Sequence, residues 1–186
     1  MTVGFAICGS FCTFSQVFPA MEALAREHVV IPIFSPAAYT TDTRFGAARE
    51  HIRRAAEVCG TAPLYTIAQA EPIGPKKLLD ALVIAPCTGN TLAKLAHSIA
   101  DGPVTMAAKS HLRNGRPILI GVSTNDALAG AAENIGKLLG KKHYCFIPFG
   151  QDDPQNKPTS MVADFTKIEP ALAAALEGRQ LQPILI

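Results

Sequence analysis

The sequence predicts an α/β fold, a three-layer α/β/α sandwich built on a parallel sheet of the Rossmann or flavodoxin-like type. Apolar runs of strand length alternate with amphipathic stretches of helical periodicity along the chain. The strand runs are apolar at consecutive positions, which is typical of strands buried on both faces of a parallel sheet. With 186 residues, 48% of them hydrophobic, the chain is long enough for one core, so we expect a single domain over residues 1–186.

The first half of the chain contains two β-loop-α units and a central strand. The helix after the first strand places Val17, Met21 and Leu24 on its inner face, and the second helix is rich in Ala, Arg and Glu. We predict, in order, a strand at 3–8, a helix at 14–27, a strand at 29–34, a helix at 44–59, a short strand at 64–67, a short helix at 73–79 and a strand at 81–85.

The second half begins with the clearest helix of the sequence, which starts at Asn90. Leu92, Leu95, Ala96 and Ile99 recur at i, i+3, i+4 and i+7 and predict one buried stripe. Further along, we predict helices at 104–112 and 126–139 and strands at 117–122 and 144–149. The residues expected to face inward from the helix at 126–139 are Leu128, Ile135, Leu138 and Leu139.

The last part of the chain begins with a sharp change of composition. Residues 150–160 contain two prolines and no aliphatic side chain. A stretch of this length directly after a central strand indicates a lid or an oligomer contact, so residues 150–163 are predicted to form a long functional loop. Residues 164–186 are predicted to form a terminal helix and an apolar tail, which packs on the domain edge or on a neighbouring protomer.

Composition and charge disfavour several classes of function. The net charge is +2, no long run of like charges occurs and tryptophan is absent, so we expect neither a nucleic-acid surface nor a polybasic membrane patch. No apolar segment approaches the roughly 20 residues that span a bilayer. The first residues lack the basic region of a signal peptide, and the cytoplasm is the expected location. The five cysteines lack paired C-x-x-C spacing, so we expect no disulfide framework and no metal site.

Three polar loops are predicted to meet at the carboxyl edge of the sheet. They are residues 9–13, 35–43 and 86–91, each of which follows a strand. Glycine followed by serine at the start of a helix suits a phosphate group. After Gly9 the next glycine is Gly46, so the G-x-G-x-x-G pattern of dinucleotide sites is absent, as is a P-loop lysine. A mononucleotide with one phosphate, or a small dianion, is therefore the expected ligand.

One segment carries a family resemblance. Residues 85–96, with Ile99, Ala100 and Asp101 after them, resemble the P-A-S-A-N-T segment of the flavoprotein family that includes flavin-containing cysteine decarboxylases and flavin prenyltransferases. That resemblance implies FMN as cofactor, with its phosphate at the turn after the first strand and a hydroxyl residue after the second strand close by. The cofactor-binding residues expected here are Gly9, Ser10, Phe11, Ser35, Pro86, Cys87, Thr88, Asn90, Thr91, Ser123, Thr124 and Asn125.

The chain departs from this family pattern in two places. Residues 122–128 keep only Asn125 of the P-x-M-N-x-x-M segment of the decarboxylases, so oxidative decarboxylation of a cysteine is not supported. Cys87 stands where the family has a small residue, and Gly89 stands where it has a larger one. An FMN-dependent, decarboxylase-like activity stays as an alternative, and so does a phosphate-type anion in place of FMN.

A second resemblance spans the chain. Five segments resemble the dipicolinate synthase B subunits of spore-forming bacteria: residues 41–46, 71–76, 106–109, 122–128 and 146–154. This resemblance implies an oxidoreductase component that works with the A subunit of dipicolinate synthase in the cytoplasm of the mother cell. The A subunit is implied to carry a dinucleotide-binding domain and to hold NADP. Together the two chains are implied to oxidise a dihydrodipicolinate-type intermediate of the lysine pathway to pyridine-2,6-dicarboxylate.

A small dicarboxylate substrate requires cationic or strong donor groups. Arg44, Lys109 and Lys157 are the candidates for substrate binding, and Arg44 and Asn125 are the candidates for a catalytic role. Two hypotheses remain open. In one, the chain bears the cofactor or catalyses; in the other, it is a non-catalytic scaffold that binds a small dianion and organises the A subunit. The resemblance also implies a homo-oligomer.

Overall fold

A computed structural model describes residues 1–186. The strands are β1 (Thr2–Ile7), β2 (Val29–Phe34), β3 (Ala81–Cys87), β4 (Ile118–Thr124), β5 (Tyr144–Phe146), β6 (Phe149–Gly150) and β7 (Met161–Ala163). The helices are α1 (Phe14–Glu27), α2 (Pro36–Thr40), α3 (Ala48–Cys59), α4 (Ile67–Ala70), α5 (Gly89–Ala96), α6 (Pro103–Leu112), α7 (Ala132–Leu139) and α8 (Ile168–Leu176). Short 3₁₀ turns precede α1 and α8 and follow α4.

The strands form one sheet in the order β2-β1-β3-β4-β7-β6, with β5 paired to the first half of β4. All pairs among β1, β2, β3, β4 and β5 are parallel. Every residue of β3 is buried, as expected for a strand covered by helices on both faces. The predicted three-layer α/β fold with a mostly parallel sheet is therefore confirmed.

The far edge of the sheet differs from the prediction. The strand expected at 144–149 is divided into β5 and β6, because the Ile147 N–H donates to the Ile120 carbonyl of β4 but the Phe149 N–H donates to the Ile184 carbonyl of the tail. After the loop, β7 pairs antiparallel with both β4 and β6. The predicted loop at 150–163 therefore ends at Ser160, since its last three residues form a strand, and the sheet is mixed at this edge.

Two predicted helices start later than expected. The helix predicted at 44–59 begins at Ala48, because Thr43 and Gly46 exchange backbone hydrogen bonds in a tight turn with Gly46 at φ +130°. Asp42 then accepts the Ala48 N–H at 2.8 Å. The helix predicted at 126–139 begins at Ala132, since residues 125–131 form consecutive turns. The helix predicted at 73–79 is absent: a 3₁₀ turn ends at Ile73, and residues 74–77 form turns.

The buried stripes follow the predictions except near helix ends. Leu92, Leu95 and Ala96 are buried, but Ile99 is 47% exposed because α5 ends at Ala96. Leu128 is 51% exposed because it lies in a turn instead of a helix. Leu139 is also exposed, whereas Ile135 and Leu138 are buried as predicted.

The loop at 151–160 is hydrogen-bonded to the turns after β4, and the C-terminal tail is hydrogen-bonded to the sheet. Thr159 donates its hydroxyl to the Asn125 carbonyl at 2.6 Å, and Leu128 donates its N–H back to the Thr159 carbonyl at 3.0 Å. The tail lies along β6, where Phe149 exchanges backbone hydrogen bonds with Ile184 and Ile186. None of the helices has the length and apolar character needed to cross a membrane.

Candidate functional site

The carboxyl ends of β1 and β4 meet through two serines. The Oγ atoms of Ser10 and Ser123 lie 2.6 Å apart, although the residues are separated by 113 positions in the chain. Ser123 is 2% exposed, and Ser10 is half-buried. A buried hydroxyl therefore holds the Ser10 side chain at the start of the first loop, and two residues predicted for the site lie in contact.

The start of the first helix presents free backbone donors beside this pair. A 3₁₀ turn from Phe11 to Thr13 leads into α1, and no side chain caps it. The N–H groups of Phe11 and Cys12 donate to no acceptor in the chain, whereas the Thr13 N–H donates to the Ser10 carbonyl. Free N–H groups next to a hydroxyl at a helix start suit an anion.

The second loop lies against the first. A Cβ built on Gly9 would lie 3.2 Å from the Cβ of Ala37, so glycine permits the close approach of the two loops. The Ser35 hydroxyl accepts the Ala38 N–H at 3.2 Å and caps α2. Its capping role leaves the hydroxyl hydrogen of Ser35 available to a ligand.

The third loop forms the start of α5 and is tied to β1. Thr88 accepts the Thr91 N–H at 3.4 Å as a helix cap, and the hydroxyl of Thr91 donates to the Cys8 sulfur at 3.3 Å. The buried Pro86 accepts the Cys8 N–H through its carbonyl at 3.2 Å. Asn90 is exposed at this helix start.

The two cysteines behind these loops are buried. Burial raises the pKa of the Cys8 thiol to about 11. Burial, and then the neighbouring Cys8, raise the pKa of the Cys87 thiol well above its usual range. Both thiols therefore stay protonated at neutral pH and are packing groups instead of nucleophiles. Cys12, in contrast, is exposed in the first loop.

A carboxylate that the sequence prediction missed lies beside the third loop. Thr124 donates its hydroxyl to Asp126 Oδ1 at 2.5 Å. A Cβ built on Gly89 would lie 2.8 Å from that same oxygen and 2.9 Å from Thr124 Oγ1. Gly89 is the first residue of α5, so the carboxylate lies against a helix start, where negative charge is stabilised. In the sequence, the feature that could have indicated this carboxylate is Gly89, which departs from the family pattern.

Asn125 lies between Thr124 and Asp126 and is exposed. Its carbonyl accepts the Thr159 hydroxyl, so the loop at 151–160 supports the turn that carries it. The side chain of Asn125 makes no hydrogen bond within the chain. A catalytic or cofactor-binding role for Asn125 stays a prediction.

The three predicted substrate cations are not gathered together. The exposed Arg44 stacks over the ring of Phe45, 4.8 Å from its centroid. Phe45 lines a depression of about 210 Å³ that it shares with Phe11 and Cys12 of the first loop. Of the three cations, Arg44 is therefore the one whose neighbour, Phe45, lines the same depression as the first loop.

The other two cations lie in different surroundings. Lys109 borders a separate depression of about 130 Å³ that Leu95 and Tyr144 also line. Lys157 is exposed in the loop at 151–160, with its Nζ 3.4 Å from Asp152 Oδ2. No group of three or more His, Cys, Asp or Glu side chains is placed to hold a metal ion.

Comparisons with known proteins agree with this fold. The sequence model of the Flavoprotein family matches residues 2–131. The B subunit of dipicolinate synthase from Bacillus subtilis is 45% identical over 185 residues, which cover 99% of this chain and 92% of that protein. The crystal structure of the corresponding B subunit from Bacillus halodurans superposes with a TM-score of 0.91 at 45% identity, covering 100% of this chain and 95% of that one.

A more distant structure shares the fold alone. A dodecameric FMN-dependent UbiX-like decarboxylase from Escherichia coli O157:H7 gives a TM-score of 0.63 at 24% identity, covering 80% of each chain. The family match covers all three loops of the site and ends after the turn that carries Asp126. The chain therefore belongs to the flavoprotein family, together with the dipicolinate synthase B subunits that it resembles over its whole length.

Proposed function

We propose that this chain serves as the B subunit of a dipicolinate synthase in the cytoplasm of a sporulating mother cell. The observation that carries the proposal is the 45% identity to such a protein over 99% of the chain. The fold similarity to a second protein of this type, with a TM-score of 0.91, supports it. With the A subunit, the chain would oxidise a dihydrodipicolinate-type dicarboxylate to pyridine-2,6-dicarboxylate, and that partner would hold NADP.

The residues of the site fit FMN at its phosphate end. Free N–H groups of Phe11 and Cys12 and the hydroxyl of Ser10, which Ser123 holds in place, are the donors that a phosphate group requires. Ser35 and the start of α5 would hold the rest of the cofactor. When bound, FMN supplies a two-electron acceptor. A phosphate-type anion at the same donors is the alternative ligand.

The scaffold hypothesis is favoured by a different observation. The carboxylate of Asp126 lies 2.8 Å from where a Cβ of residue 89 would stand, so the start of α5 already has an anion beside it. A chain that keeps only the phosphate end of the site would bind a small dianion and organise the A subunit without a flavin. For either hypothesis we propose a homo-oligomer, which the dodecameric fold neighbour supports.

Visible absorption of the purified protein, followed by reconstitution with the A subunit, tests the proposal. A flavin spectrum that the Ser10→Ala variant loses, together with dipicolinate formation by the mixture, supports the cofactor-bearing role. Thr61→Ala is the matched control, because Thr61 is an exposed hydroxyl residue outside the site. A colourless protein that still restores dipicolinate formation to its partner would favour the scaffold. A mixture that forms no dipicolinate would contradict the proposed function.

A further inference from the structure

Asp126 differs from every other aspartate of the chain in its partners. The sequence contains seven aspartates. An aspartate in a turn usually accepts a backbone N–H from nearby, which satisfies its carboxylate locally. The carboxylate of Asp126 accepts only the Thr124 hydroxyl. The six others accept a backbone N–H or pair with a cation: Asp42, Asp80, Asp101, Asp152, Asp153 and Asp164.

The carboxylate of Asp126 lies between the start of α5 and its own turn. Its Oδ1 lies against Gly89 and Thr124, and its Oδ2 lies 3.2 Å from where a Cβ of Gly130 would stand. Glycines on both sides leave the space around the two oxygens open. Because Asp126 is exposed, a ligand at this edge of the sheet can reach it.

The position of this carboxylate is nevertheless fixed. The backbone carbonyl of Asp126 accepts the N–H groups of Ala129 and Ala131, which closes the turn around it. The loop at 151–160 braces the same turn through Thr159, which bonds Asn125 and Leu128. A carboxylate that is held by its backbone, open at its oxygens and free of a cation is suited to accept a proton.

We propose that Asp126 is the proton acceptor of the oxidation, an inference that rests on the proposed function. Conversion of a dihydropyridine dicarboxylate to the pyridine removes two hydrogens from the ring. One leaves with its electron pair as hydride and reduces the oxidised nicotinamide dinucleotide held by the A subunit. The other leaves as a proton, its C–H electrons complete the aromatic ring, and an oxygen of Asp126 takes the proton.

Asp126 is the one charged residue of this turn. No other residue from 123 to 131 carries an ionisable side chain, and neither do residues 88–91 at the start of α5. The charged side chains of the adjoining elements are paired with one another: Lys94 with Asp101, Lys137 with Glu133 and Lys157 with Asp152.

The test compares Asp126→Asn with the wild-type protein, each reconstituted with the A subunit. The amide keeps the shape of the side chain but does not accept a proton, so kcat should fall about 100-fold or more while KM changes little. Asp101→Asn, which removes the same charge elsewhere on the surface, should keep the wild-type kcat and KM.

Two results would overturn the proposal in distinguishable ways. Asp126→Asn with a wild-type kcat would contradict the role of Asp126 and leave the proposed function intact. A wild-type mixture that forms no dipicolinate would contradict the proposed function and the inference together. Thermal unfolding at the wild-type temperature and unchanged binding to the partner chain would show that a loss of kcat does not arise from misfolding.

Discussion

The starts of α1 and α5 lie at the same edge of the sheet, yet they differ in the groups that lie beside their N–H donors. The 3₁₀ turn before α1 has no side-chain cap, and its first two N–H groups, those of Phe11 and Cys12, have no partner in the chain. The start of α5 is capped by Thr88 and has the carboxylate of Asp126 beside its first residue. One helix start is open to an external anion, and the other is close to an internal one.

The difference shows that two similar turns need not bind similar groups. Two helix starts near one another could both attract phosphate, because each carries partial positive charge. A carboxylate beside α5 repels a second anion there and favours a neutral or proton-donating part of the ligand. We infer that the site is polarised, with its anion-binding end at α1 and its proton-accepting end at α5.

Matched glycine substitutions at the two helix starts provide the largest expected effects. A Cβ on Gly89 would lie 2.8 Å from the carboxylate of Asp126 and must displace it. Gly89→Ala should lower kcat about 10- to 100-fold, because a shift of about 1 Å in a catalytic group has effects of that size. Gly9→Ala, whose Cβ would meet Ala37 at 3.2 Å, should instead weaken the binding of phosphate or FMN.

Steady-state kinetics and ligand titration of both variants separate these effects. The Gly89→Ala variant should lose turnover and keep its affinity for the anion. The Gly9→Ala variant should lose affinity for the anion and keep its turnover at saturating ligand. Loss of the same property in both variants would contradict the division of the site into two ends. Circular dichroism serves as the control for folding.

A smaller effect is expected from Ser123→Ala. Removal of this hydroxyl breaks the 2.6 Å contact with Ser10 and releases the Ser10 side chain at the open helix start. One hydrogen bond contributes about 1 kcal/mol, so affinity for phosphate should fall about fivefold. The kcat at saturating ligand should stay near the wild-type value, since Asp126 is untouched. Isothermal titration measures the affinity, and an unchanged value would remove Ser123 from the anion-binding end.

The sequence predicted the sheet and the edge at which the three loops meet because both depend on local patterns. Apolar runs predicted β1 to β4, and the glycine, serine and threonine residues after them identified the three loops. The contact of Ser10 with Ser123 also joins two predicted residues. Strand order and right-handed connections bring such loops together whatever the details of packing.

The features that the sequence did not predict depend on contacts between distant segments. The antiparallel strand β7 is only three residues long and is defined by its pairing with β4 and β6. The contact between Asp126 and Gly89 joins two loops that are far apart in the chain, so no local periodicity predicts it. The charge of Lys109 predicts a substrate contact, but the structure places Lys109 beside Tyr144 in a separate depression.

Titration of inorganic phosphate into ¹⁵N-labelled protein tests the polarised site most directly. The amide signals of Phe11 and Cys12 should shift in a saturable manner, because their N–H groups are free to bind the anion. The amide signals of Gly89 and Asn90 should move little, since the carboxylate of Asp126 lies beside them. Saturable shifts at Gly89 and Asn90, with Phe11 and Cys12 unchanged, would contradict the account.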